Sequence, residues 1–103
     1  MAKHRGYVFK PTTQDLTYSA QLQEWADYYA VELKWAESSL QTNGVTEWYA
    51  YPLIQGYHYD KFQGKATNLR TARQISAQMI IESPGTLDTA RTRPPPAIIP
   101  RVL

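Results

Sequence analysis

The sequence predicts an α+β fold. One long helix over about residues 13–42 packs on an aromatic β-hairpin, a second shorter helix or strand follows, and extended arms leave both ends. Three observations predict it. From Thr13 to Thr42 there is no Pro and no Gly, and apolar residues recur at helical spacing. Two aromatic-rich runs then flank a link containing Pro and Gly. A triplet of prolines near the C-terminus imposes extended chain.

The first segment, residues 1–12, reads as a basic arm. It holds Lys3, Arg5 and Lys10 and no acid. Tyr7, Val8 and Phe9 form a short extended piece that Pro11 ends. It has basic residues but no apolar core of the secretory type.

The helix is predicted next. Thr12 or Thr13 serves as N-cap with Asp15 in the first turn, and Asn43-Gly44 closes it in a left-handed cap. At ~1.5 Å per residue it would run about 45 Å, further than a domain of this size is wide. One face carries Tyr18, Leu22, Ala26, Tyr29, Leu33, Ala36 and Leu40, spaced by four and three. The opposite face carries Tyr28, Val31 and Trp35. A surface helix normally buries one stripe and wets the rest, so the second face implies a partner.

The hairpin strands are predicted at 45–51 and 57–62, joined by 52–56. Period-2 alternation puts Tyr49 with Tyr51 and Tyr57 with Tyr59, and pairing would gather the four into one patch. Residues 66–83 read as a helix capped by Thr67, with Leu69, Ala72, Ile75 and Met79 along one side. Polar and apolar residues alternate from Gln74 to Glu82, which suggests a passage into strand near Ile75. Ser83-Pro84-Gly85 stops the element. The chain thus divides into the arm 1–12, a small domain 13–85, and a Pro-rich extended docking arm 86–103.

The chemistry is mostly one of exclusion. With no Cys in 103 residues there is no disulfide framework, thiolate metal site or Cys nucleophile. His4 and His58 have no helix-spaced ligand partner, so no metal site is read. His58 and Asp60 share a strand face as an ordinary exposed pair. Gly64-Lys65 lacks the earlier glycine and the following Ser or Thr of a phosphate loop. No catalytic residue or cofactor is assigned. No apolar run approaches the ~20 residues of a membrane span.

The net charge of +2 hides a segregation. Residues 12–60 carry seven acids against Lys34, and residues 61–103 carry seven bases against Glu82 and Asp88. The reading that follows is a non-enzymatic structural or connector subunit of a large multi-protein assembly, a virus or phage particle first. Its partner-binding residues are Tyr28, Val31 and Trp35 on the second helix face and Pro94, Pro95, Pro96, Ile98, Ile99 and Val102 in the arm. Its partners are other protein subunits or further copies of itself. The alternative is a nucleic-acid-binding protein that stacks bases on Tyr49, Tyr51, Tyr57 and Tyr59 and meets phosphates with Arg70 and Arg73.

Overall fold

The computed structural model describes residues 7–14 and 16–94. In chain order these form α1 (Tyr18–Tyr29), β1 (Leu33–Thr42), β2 (Val45–Ile54), β3 (Tyr57–His58), a 3-10 turn (Asp60–Phe62), β4 (Gly64–Ala66), α2 (Leu69–Glu82) and α3 (Thr86–Thr92). The fold is a small α+β arrangement of three helices and an antiparallel sheet.

The single long helix over 13–42 is not formed. Its N-cap is Thr17, whose hydroxyl accepts the Ala20 N–H at 3.3 Å. Thr13 belongs to the preceding turn and accepts the Leu16 N–H at 2.9 Å. The helix stops at Ala30, which adopts a left-handed φ of 55°. There the Val31 N–H returns to the Ala26 carbonyl at 2.9 Å, a Schellman-type ending that usually recruits glycine. Because alanine fills that place, no glycine marks the stop.

The rest of the expected helix is a strand. Asn43 and Gly44, with φ of 52° and 77°, form a two-residue turn of the type whose twist matches antiparallel strands. It joins β1 to β2 in register from Thr42↔Val45 to Leu33↔Ile54. The Asn-Gly pair is therefore a hairpin turn and not a helix cap. Ten cross-strand pairs outweigh the helical preference of Leu33, Ala36 and Glu37.

A second two-residue turn, Gln55-Gly56, leads into β3 in register Ile54↔Tyr57. The expected link 52–56 is thus mostly strand, and β3 is only two residues long. β4 pairs with β2 further along, Gly64 opposite Ala50 and Ala66 opposite Trp48. Since β1 occupies one edge of β2, β3 and β4 lie in succession on the other, as one interrupted third strand.

α2 starts at Asn68, whose side-chain oxygen accepts the Thr71 N–H at 2.8 Å, so the cap is not Thr67. It is helical throughout, and the alternation from Gln74 to Glu82 marks no strand. The buried stripe is Ala72, Ser76, Ala77 and Ile80, whereas Ile75 is exposed. Residues 86–92, expected as extended chain, are helical and bury Leu87 and Ala90. Leu22, Trp25 and Ala26 of α1 join Ile54, Phe62, Ala77, Ile80 and Leu87 in one core on the helix side of the sheet.

Tyr7 to Lys10 cross α1 without regular structure. The Tyr7 N–H donates to the Tyr29 hydroxyl at 2.8 Å, and the Tyr7 hydroxyl donates to Glu24 at 2.7 Å. Burial first, then the Glu24 hydrogen bond and charge, push the Tyr7 pKa up to about 12. The folded state therefore favours the neutral phenol. That contribution is intact below pH 10 and is lost as pH rises towards 12. Stability should fall across this window, and Tyr7→Phe should reduce the slope in a pH-resolved denaturant series.

Gly64 sits hard against α2. A Cβ there would lie 2.1 Å from the Ala72 carbonyl oxygen and 2.8 Å from the Ser76 nitrogen, both backbone atoms. Gly64→Ala should destabilise the fold by about 3 kcal/mol in urea unfolding, because neither element can yield without losing its pairing.

Candidate nucleic-acid interface

Strand register decides which side chains share a surface. Ala50, Pro52 and Ile54 are buried on the helix side of β2. Tyr49, Tyr51 and Leu53 therefore face the opposite side. Beside them lie Ser38, Ala36 and Lys34 of β1, His58 of β3 and Lys65 of β4. No described helix covers this open face, since the helices pack on the other.

The four-Tyr patch does not form. Tyr57 pairs with Ile54 and so points to the helix side. Tyr59 packs partly buried against the core. Tyr49 and Tyr51 alone remain on the open face. The Tyr51 hydroxyl lies 2.7 Å from Nδ1 of His58, so the partner of His58 is a tyrosine and not Asp60. The Tyr49 hydroxyl donates to Glu47 at 3.1 Å. Its pKa is raised, by desolvation first and by the Glu47 hydrogen bond and charge next, while Lys65 draws it down.

The charges on the open face are matched. Lys65 lies 3.6 Å from Glu47, and Lys34 lies 3.6 Å from Glu32. Arg73 is on the helix side, bonded to Glu37 of β1. Arg70 is exposed in the first turn of α2, where no acidic residue stands. The open face thus offers aromatic surface with little net charge. Where β4 hands the chain to α2, Arg70 stands with no acid in its helical turn.

That junction has a second feature. β4 runs antiparallel to β2, so it carries the chain towards the Asn43-Gly44 turn before α2 begins. The hairpin extends beyond the last β4 pair, at Trp48, by about 15 Å at ~3.3 Å per residue. The turn and the α2 N-terminus therefore stand at the same end of the sheet, with Asn68 and Arg70 at the helix end.

The expected partner-binding residues are dispersed. Tyr28 is exposed in α1, Val31 is buried beyond the helix end, and Trp35 is half-buried in β1. They do not form one helix face. The Pro94 carbonyl accepts the Tyr57 hydroxyl at 2.8 Å, and the Arg93 guanidinium lies 3.4 Å over the Tyr57 ring. Pro95, Pro96, Ile98, Ile99 and Val102 lie outside the described residues.

Sequence reasoning missed Lys65 and Asn68 as a pair at a strand-to-helix junction. The signal is an Asn two residues after a short alternating stretch, followed by the Ala-rich helical run. Among the described residues no group of three or more His, Asp or Glu could hold a metal ion, and no helix is long and apolar enough to cross a membrane. The sequence matches no protein-family model and no curated protein.

The Arg73–Glu37 pair ties α2 to β1 at a partly exposed site. A double-mutant cycle with alanine at both positions should give a coupling of about 1 kcal/mol that shrinks in molar salt.

Proposed function

We propose that this chain is a non-enzymatic RNA-binding module that grips an RNA duplex by its shape. One observation carries the reading: the hairpin turn and the basic N-terminal end of α2 project from the same end of the sheet, about 15 Å apart in depth. Two such points can engage a groove and the phosphates beside it. Duplex RNA is read through its A-form geometry and 2′-hydroxyls more than its sequence.

In this reading Arg70 meets phosphates at the start of α2, where Asn68 caps the helix through the Thr71 N–H. Arg73 keeps Glu37 and positions α2. Tyr49 and Tyr51 lie on the open face, away from the duplex.

A second reading keeps the chain as a structural subunit bound to other proteins. It is favoured by the open face, where Tyr49, Tyr51, Leu53 and Ala36 lie uncovered among matched charges. A neutral aromatic surface of this kind suits protein contact.

Gel-shift titrations with a ~16 bp RNA duplex, the same single strand and a DNA duplex separate the two. The RNA module should prefer duplex RNA, with affinity falling steeply with salt. Arg70→Glu should weaken binding several-fold and flatten the salt slope by about one. Equal binding to all three nucleic acids, or none at low salt, would sink the RNA reading. The structural subunit should instead hold a protein partner at any salt and release it when 91–103 are deleted.

A further inference from the structure

The N-terminal segment lies in a site built to read extended backbone. Gln21 of α1 is 1% exposed and uses both ends of its amide on one residue. Its oxygen accepts the Lys10 N–H at 2.8 Å, and its nitrogen donates to the Lys10 carbonyl at 2.8 Å. Three residues earlier the Tyr29 hydroxyl accepts the Tyr7 N–H. Between these anchors the side chains alternate. Tyr7 and Phe9 turn inward and pack on the core, while Val8 is 65% exposed.

The receiving cleft is formed by Trp25 and Tyr29 of α1, Ile81 of α2 and Leu87 of α3. A half-open void of about 190 Å³ remains beside the two aromatic rings. No strand ladder holds it. The hinge that follows is a tight turn at Thr13, closed by the Thr13 N–H to the Leu16 carbonyl at 3.1 Å.

We propose that the cleft between α1 and α3 is a recognition site for an extended aromatic-x-aromatic segment, held in cis by Tyr7–Lys10 and open to the same segment of a second copy of this chain. The occupant follows from the fit on display. Every contact that holds the segment in cis can be remade in trans without new complementarity, so exchange creates a dimer at low cost. A short hinge next to a segment that no strand ladder holds favours that exchange. Resident segment and incoming segment then compete, and the resident lowers the apparent affinity for the other. The proposal is independent of RNA binding, whose residues lie at the opposite end of α2 from Ile81.

The test uses the full chain. A fluorescent peptide with the sequence of residues 1–12 is titrated with wild type, Tyr7→Ala/Phe9→Ala and Gln21→Glu proteins. The double variant empties its own site and should bind the peptide about tenfold tighter than wild type. Gln21→Glu keeps the acceptor for the Lys10 N–H and loses the donor for its carbonyl, so it should bind poorly. A peptide with both aromatics replaced by Ala should not bind. In sedimentation the wild type should form a dimer that grows with concentration and is lost in Gln21→Glu. The proposal is overturned if the double variant, folded by circular dichroism, binds no tighter than wild type. It is equally overturned if the wild type stays monomeric into the millimolar range. Should the double variant not fold, the Gln21→Glu comparison decides in the same two assays.

Discussion

Backbone meets backbone where β4 passes under α2, and the rest of the packing is arranged around that contact. Gly64 has no side chain to hold the helix off. Ala50 opposite it, and Ala72 and Ser76 above it, are all fully buried. Small residues on both sides let the two elements approach closely, which brings larger side chains at the margins into range of each other. Ile54 and Ile80 then close the layer against Leu22 and Trp25 of α1. Close approach multiplies small dispersion gains that a looser fit would forfeit. It also fixes where α2 begins, and with it the position of Asn68 and Arg70 relative to the sheet.

Local signals in the sequence locate some elements and misplace others, for physical reasons that particular residues show. Tyr18, Leu22, Ala26 and Tyr29 were legible as the inner face of a helix, and they pack as one. The continuation through Leu33, Ala36 and Leu40 had the same spacing and went to a strand. Spacing alone does not distinguish a helix from a strand that will be paired along its whole length. The decisive clue was Asn43-Gly44, which serves equally as a helix end or a hairpin turn. Only the β-compatible run that follows it, Val45 to Ile54, tips the balance. Trp25 belongs to neither apolar stripe and is nevertheless at the centre of the core. Gln21 gave no sign that its amide would be buried against Lys10, because its partner lies in a segment without periodicity.

The site shows a similar division. Arg70 and the tyrosines were visible as residue types, and their faces were not. Register, set by two two-residue turns, sends Tyr49 and Tyr51 one way and Tyr57 the other. The segregation of charge along the chain has a structural counterpart. Acids from the middle third, Glu37 and Glu47, meet bases from the last third, Arg73 and Lys65. Part of what read as a basic region is an internal balance, while Lys61, Arg93 and the exposed Arg70 meet no acid among the described ion pairs.

Pro52 stands within the long central strand, two residues before its end, an unusual place for a residue without an N–H. Its carbonyl accepts the Tyr59 N–H at 3.0 Å, which shows that its backbone polar groups point towards the β3 side. The missing donor therefore falls where a third strand would otherwise run on unbroken. The chain leaves the sheet at Tyr59, makes a turn and returns as β4. That edge is consequently ragged, with two short strands and a gap between them, and offers little to an extraneous chain. β1, by contrast, presents ten consecutive residues along a border that no other described strand pairs. One imino acid thus makes the two edges unequal and leaves β1 as the longer template for a strand that joins from outside.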